Sequence, residues 1–311
     1  MKAVGLTEFG GPEVLRALDL PEPQAGPGEV RIRVHAAAVN PTDTVLRSGA
    51  RATELTDAPP YVPGMDAAGV LEQIGEGIST DLRIGEHVMA IVVPSGAHGA
   101  YAERIVVPAE SVVRVPAGAT DAEAASLPMN ALTAHLALDV LELTPGQTVA
   151  VTGAAGAVGG YAVQLARADG LRVIADAAPR DEQLVKDLGA DIVLARGDDF
   201  SQRVRAEVPL GVDGLVDAAV LDRLALPAVR DGGRIATLRR FADTGERGIT
   251  FHPFRVSEHA REQAKLDGLR QQVEEGQITL RVARILPAAQ AIEAHRALEA
   301  GGVRGRLILQ F

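Results

Sequence analysis

The chain has no cysteine anywhere in its 311 residues. Without a thiol there is no disulfide, no thiolate nucleophile, no iron–sulfur cluster and no zinc site built on sulfur. Positive charge is also in deficit: 31 Lys and Arg against 41 Asp and Glu give a formal charge of −10. No Lys/Arg run concentrates the basic residues, which excludes a general nucleic-acid or anionic-membrane binder. No stretch reaches the ~18 uninterrupted apolar residues that a spanning helix needs. The opening MKAVGLTEFGGPEVL lacks the apolar centre of a signal peptide, so a cytoplasmic location is expected. What is present fits folded domains: 47% of residues are apolar and 23% charged, and the length predicts two domains at roughly 100–200 residues each, or one large domain.

Residues 1–125 are short runs of alternating polarity punctuated by Gly and Pro. In residues 30–34, Val30, Ile32 and Val34 alternate with Arg31 and Arg33, the period of a strand wet on one side. This part reads as all-β. From about residue 126 the pattern changes to strands alternating with helices. Strands are expected at 148–152, 171–176, 191–195, 214–217 and 234–238, with helices at 157–169, 181–188, 199–207 and 221–230. Repeated βα units with apolar strands predict an α/β, doubly wound parallel sheet covered on both faces. After a possible sixth strand at 249–251, a polar helix over 258–275, a strand at 280–286, a helix at 287–300 and a strand at 304–311 are expected to return to the first part. The expected division is therefore 1–125, 126–256 and 257–311, the last packing on the first.

The sharpest local feature is TVAVTGAAGAVGGYAVQLA, residues 148–166. A strand runs into Gly153, Ala154, Ala155, Gly156, Ala157, Val158 and Gly159, and then into a helix. A pyrophosphate needs close backbone approach and N–H groups at a helix N-terminus, and residues without bulky side chains allow both. The pattern departs from G-x-G-x-x-G by Ala154 at the first glycine, so a plain Gly-rich turn is the competing reading. Asp176 and Arg180 follow at the end of the next strand and argue in opposite directions. An acidic residue there suits the ribose of NAD, whereas an arginine suits the 2′-phosphate of NADP. A capping Asp176 and a merely solvated Arg180 fit the pattern equally well.

Taken in order, PGEVRIRVHAAAVNPTD (27–43), YVPGMDAAGVLEQIGEGI (61–78), GEHVMA (85–90), GAYAER (99–104), SLPMNALTAHLAL (126–138), VTGAAGAVGGYAVQLA (151–166), LGAD (188–191), GVDGLVDA (211–218), DGGRI (231–235) and AIEAHRALEAGGVRGRLIL (291–309) carry a resemblance along the whole chain. It resembles the medium-chain dehydrogenase/reductase superfamily, in its zinc-independent NADPH:quinone oxidoreductase (zeta-crystallin-like) branch. The resemblance implies a GroES-like catalytic domain joined to a Rossmann domain, with the active site in a cleft between them. Where zinc-dependent members carry Cys and Gly-His-Glu, this chain has Asn40 and Gly64-Met65-Asp66, and the four-Cys lobe is missing. The seven histidines, His35, His87, His98, His135, His252, His259 and His295, show no paired ligand spacing. No metal and no flavin are expected.

The resemblance places Asn40 beside nicotinamide and substrate, where an amide can donate without ionising; a simple turn at 40–43 is the alternative, with Asp43 as structural acceptor or cap. Thr133 matches a position near the nicotinamide, with Asn130 one turn earlier on the same wall, and back-bonding to the preceding helical turn is the alternative for Thr133. Arg304 and Arg306 flank Gly305 where a basic residue could approach a cofactor phosphate, an exposed edge-strand charge being the competing reading. Tyr61, Ser95 and His98 are the candidate lining of the substrate mouth, a plain solvent-exposed turn being the leading alternative for Ser95 and His98, while Tyr101 reads as core. Val45, Ala50 and Arg51 stand where relatives often carry pocket tyrosines, which removes aromatic walls that would stack on a flat quinone. Without a Lewis acid the substrate should already be electron-poor and conjugated. The expected function is NADPH-dependent reduction, NADH being the second choice, of a quinone or α,β-unsaturated carbonyl. An enoyl-thioester reductase and a non-catalytic NADPH-binding protein are the alternatives. A homodimer through the sheet edge near 235–251 is expected as well.

Overall fold

The computed structural model describes residues 1–239, 241 and 246–311. The chain divides into two compact units, Met1–Met129 with Ser257–Glu274 and Leu280–Phe311, and Asn130–Val256 with Glu275–Thr279.

The first unit is built on a seven-stranded sheet. Its organising strand, Glu29–Val39, pairs antiparallel with Asp66–Ile74, with Arg104–Pro108 and with the last strand, Arg306–Gln310, where Leu307 and Ile308 lie opposite Val39 and Ala38. Val30, Ile32 and Val34 are buried, while Arg31 and Arg33 reach Glu72 on the neighbouring strand at 3.4 and 3.1 Å, the expected one-sided alternation. From Ala36 to Val39 every side chain is buried, because these small residues are covered on both faces.

The second unit is a six-stranded, all-parallel sheet among the described residues. Its strands lie in the order Ile192–Ala195, Arg172–Ala177, Thr148–Thr152, Val212–Asp217, Val229–Thr237 and Thr250–Pro253. The chain thus starts in mid-sheet, moves outward to one side, then returns to continue on the other. Central strands such as Thr148–Thr152 bury nearly every residue, as a sheet covered on both faces requires. The expected helix at 221–230 is instead a 3-10 turn, Asp222–Ala228, and the next strand begins at Val229 rather than at 234. Pro227 explains the change, since it has no N–H to continue an α-helical ladder. The polar helix expected over 258–275 is shorter, Gln263–Glu274, preceded by a separate 3-10 turn, Val256–His259. Among the described residues no helix is long and apolar enough to cross a membrane.

Two buried polar residues clamp the central strands together. Thr152 Oγ1 donates to Asp217 Oδ1 at 2.8 Å and accepts the Ala219 N–H at 3.0 Å. Asp217 also accepts the N–H groups of Leu221 and Asp222 at 2.9 and 2.7 Å. Thr152→Val keeps the shape but strips the Ala219 N–H of its acceptor, so stability should fall by about 1–3 kcal/mol. Urea denaturation checks this; an unchanged midpoint would mean that water replaces the hydroxyl without loss.

Candidate functional site

In a doubly wound sheet, ligands lie outside the C-terminal ends of the strands where the strand order reverses. Here that point falls between Thr148–Thr152 and Val212–Asp217. The turn that leaves the first of these strands is forced to be small. Gly153 has φ +67°, and a Cβ on it would lie 3.0 Å from the carbonyl of Ala218. A Cβ on Gly159 would lie 2.3 Å from the Gly153 carbonyl oxygen, so helix and turn touch backbone to backbone. Gly156 caps the helix Ala157–Ala168, and its own N–H donates to the Gly153 carbonyl at 2.9 Å. The first turn of any such helix directs N–H groups and the positive end of the dipole outward. Ala154, Ala155, Ala157 and Gly159 are buried in the seam, while Gly153, Gly156 and Val158 are partly exposed. The result is a cradle of backbone between strand and helix, the shape that an anion would require.

At the end of the next strand the carboxylate of Asp176 is almost wholly buried. Its Oδ1 accepts the N–H of Ala154 at 3.2 Å, which ties the cradle to the neighbouring strand. Its Oδ2 pairs with Arg196 Nε at 3.3 Å. Arg180 is three-quarters exposed, 3.9 Å from Asp181. No motif in the sequence singles out Arg196. It lies one strand further along the chain, and only the parallel register, with Leu194 opposite Asp176 and Ala195 opposite Ala177, brings it to this corner.

In the first unit, Asn40 and Arg306 belong to a buried polar network. Asn40 follows the organising strand and caps the helix Pro41–Ser48, and its N–H donates to Asp43 Oδ2 at 2.7 Å. Asp43 also accepts the Gly64 N–H at 2.9 Å and the Tyr101 hydroxyl at 3.1 Å. It is therefore the N3 partner of the Asn40 capping box as well as a structural acceptor. The Asn40 side chain donates through Nδ2 to Asp66 Oδ2 at 2.6 Å, and Asp66 Oδ1 accepts the Met129 N–H at 2.6 Å. Beyond Tyr101 lies His295, Nε2 at 3.2 Å from the phenol oxygen and Nδ1 at 3.3 Å from Arg47 Nη1. Arginine only donates, so Nδ1 accepts and the imidazole proton sits on Nε2, facing Tyr101. Asn40, Asp66, Tyr101 and His295 are wholly buried, with Asp43, Arg47 and Arg306 nearly so.

Burial dominates the electrostatics. It pushes Asp43 up to about 6 and Asp66 up to about 7, against the opposing pull of their hydrogen bonds and of Arg306. Burial, with Arg47 beside it, pushes His295 down to about 3, so the ring stays neutral. The Tyr101 phenol is raised well above its usual value, first by burial and then by Asp43.

The remaining candidates are dispersed. Tyr61 is buried, donates to the Asp57 carbonyl at 2.9 Å and stacks on Phe9 at 5.3 Å between centroids. Ser95 and His98 face each other across a two-bond turn, and Ser95 Oγ donates to Asp57 Oδ2. Both line a cavity of about 420 Å³ with Leu20, Pro21 and Pro23. Burial lowers the pKa of His98. Asn130 and Thr133 lie buried on the helix Pro128–Asp139. Arg304 donates to the carbonyl of its neighbour Val303 at 3.4 Å.

Two family models match the chain: the alcohol dehydrogenase GroES-like domain over residues 26–117 and the zinc-binding dehydrogenase model over 188–309. The quinone oxidoreductase of Mus musculus is 32% identical over 249 residues, covering 76% of this chain and 73% of that protein. A solved structure described as an NAD-dependent alcohol dehydrogenase is 32% identical, with a TM-score of 0.87 and complete coverage of both chains. A mycobacterial protein solved as a complex with NADPH is 31% identical, again with a TM-score of 0.87 and complete coverage of both.

Proposed function

This chain belongs to the quinone oxidoreductase family of the medium-chain dehydrogenase/reductase superfamily and is an oxidoreductase; from that premise we propose that it is an NADPH-dependent reductase of quinones or α,β-unsaturated carbonyls, working without zinc or flavin. The observation that carries the dinucleotide is the 2.3 Å approach that a Cβ on Gly159 would make to the Gly153 carbonyl. That cradle fits a pyrophosphate and would not survive ordinary side chains. Bound there, the nicotinamide supplies a hydride to the conjugated acceptor.

The chain's own contribution begins with the backbone from Gly153 to Gly159, which holds the diphosphate through helix N-terminal N–H groups. Gly153, Ala155, Gly156, Ala157, Val158 and Gly159 form this cradle. Asp176 fixes the cradle through Ala154, and Arg196 with Arg180 supplies the positive charge for a 2′-phosphate. In this reading Asn130, Thr133 and Arg304 serve the cofactor, and Tyr61, Ser95 and His98 the substrate. Asn40 and Arg306 act through the Asp43 and Asp66 network, since their buried side chains are engaged with it. The donor set also argues against zinc at Asn40 and Met65. Asn40 Nδ2 already donates to Asp66, and Met65 Sδ lies 3.1 Å from the Thr42 hydroxyl. An amide and a thioether are poor zinc ligands beside the usual thiolate and imidazole. Electron-poor substrates follow from that, because no cation there polarises an ordinary carbonyl. A homodimer is part of the proposal, through the sheet edge near residues 235–251, where the strand Thr250–Pro253 edges the parallel sheet. Residues 240 and 242–245 of the stretch expected to mediate it lie outside the described residues.

Loss of absorbance at 340 nm with a panel of quinones and enones, using each dinucleotide, tests the reading. No turnover with any acceptor would overturn it. Arg196→Ala should raise KM for NADPH roughly 10–100-fold, the worth of a charge-assisted hydrogen bond, and leave KM for NADH nearly unchanged. The unpaired Asp176 carboxylate then adds repulsion against a phosphate. Equal losses with both dinucleotides would remove Arg196 from the specificity argument.

A further inference from the structure

Three metal-type side chains converge on one point of the first unit that the proposed reaction does not use. His35 Nδ1 lies 2.7 Å from Asp121 Oδ2, and His87 Nδ1 lies 2.8 Å from Asp121 Oδ1, so one carboxylate receives both rings. The imidazole centroids are 5.9 Å apart, and the ligand atoms of all three residues lie within 4.8 Å of one another. The sheet brings them together. His87 pairs with Val70, and Val70 in turn with Arg33, so His87 and Arg33 share a face across the intervening strand. His35 follows two residues later, where the register shifts between Val34 and Ala36. Asp121 opens the helix Asp121–Ala124, held in place by the Thr120 and Glu123 capping box. Its side chain is 13% exposed against 31% for His35 and 57% for His87, so the carboxylate is fixed and the rings are reachable from solvent.

We propose that His35, His87 and Asp121 form a binding site for one divalent transition cation, with zinc as the ion of choice. Two imidazole nitrogens and a carboxylate are borderline donors that suit zinc and its neighbours, whereas calcium and magnesium prefer all-oxygen shells. Zinc bonds of about 2.0–2.2 Å in a tetrahedral set separate the ligand atoms by roughly 3.3 Å. The nitrogen-to-oxygen distances of 2.7 and 2.8 Å must open by about half an ångström, while ligand atoms now up to 4.8 Å apart must draw together, so both rings have to turn about their side-chain bonds. The cation takes the place of the Nδ1 proton through which each ring now faces Asp121, each ring then holding its single proton on Nε2 and any surplus proton passing to solvent, and a fourth position stays open to water. Bound zinc ties the organising strand, the strand His87–Ile91 and the helix Asp121–Ala124 together.

Calorimetric titration of the chelator-treated, dialysed full-length protein with zinc chloride tests this, with cobalt(II) absorption reporting the coordination. The expected result is one ion per chain and a rise in melting temperature on adding zinc. His87→Gln and Asp121→Asn should each weaken binding at least about tenfold, since loss of a mere supporting contact already costs that much, and should abolish the thermal shift. His87 is exposed enough that its replacement leaves the fold intact, which circular dichroism verifies. His135→Gln, at an ordinary helix pair 3.6 Å from Asp139, is the control and should bind as wild type does. Absence of saturable binding, or stoichiometric binding that persists in both variants, would overturn the proposal.

Discussion

Gly159→Val is expected to leave a folded protein whose dinucleotide affinity is lowered by at least about 100-fold. The first atom of any side chain at this position would stand 2.3 Å from the Gly153 carbonyl oxygen and 2.7 Å from its carbon. Both obstacles are backbone, so no rotamer change relieves the clash. The helix Ala157–Ala168 must move away from the turn, and the N–H groups that converge on a diphosphate then diverge. Overpacking of this kind costs about 1–3 kcal/mol, which a two-unit protein of this size can absorb. Gly268→Ala is the matching control: a Cβ there meets nothing within 4 Å, and the position is inside a helix, so stability should rise by up to about 1 kcal/mol with binding unchanged. Fluorescence titration with NADPH, alongside circular dichroism melts, separates the two effects. Full affinity in Gly159→Val would show that the diphosphate lies elsewhere and would remove the basis of the proposed function.

That glycine is legible in the sequence because its constraint is local. Strand, small-residue turn and helix follow one another within residues 148–166, and the periodicity of each is visible there. The same holds for the one-sided alternation of Val30, Ile32 and Val34. The network around Asn40 is legible only in part. Asn40-Pro41-Thr42-Asp43 reads as a turn with Asp43 as acceptor or cap, and in the structure this stretch opens a helix that Asn40 caps, with Asp43 accepting the Asn40 N–H. Nothing in the sequence joins Tyr101 to His295 or Arg47, because residues so far apart meet only through the packing of the last helix, Ala291–Ala300, on the sheet. Arg196 escapes for a related reason. Its position opposite the end of the Asp176 strand is a property of sheet register, whereas Arg180, nearer in sequence, points to solvent. The helix expected at 221–230 shows the converse error: its apolar pattern runs through Pro227, and the proline prevails.

Asp43→Ala should be among the most destabilising single changes available, at about 3–5 kcal/mol. The carboxylate satisfies three buried donors, the N–H groups of Asn40 and Gly64 and the Tyr101 hydroxyl, and its removal takes the same acceptor from all of them at once. Removing it also leaves Arg306 without one of the negative charges it faces. The pH dependence of stability exposes the same network from the other side. Asp43 and Asp66 rise from 3.8 to about 6 and about 7 on folding, so between those limits the native state binds more protons than the unfolded chain. Stability from these two groups is therefore fully present below about pH 4, falls as pH rises, and is exhausted above about pH 7. For Asp66 the displacement amounts to about 4 kcal/mol between the two charge states. Carboxylates held low by partners, such as Asp213 and Asp267, act in the opposite direction and lose their contribution as pH falls. The informative quantity is consequently the difference between wild type and Asp66→Asn, measured by urea unfolding from about pH 5 to 8. Wild type should lose stability relative to the variant by about 2–4 kcal/mol across that range, because the amide cannot ionise. A difference independent of pH would mean that Asp66 is charged throughout, and that Arg306 rather than burial governs this part of the network.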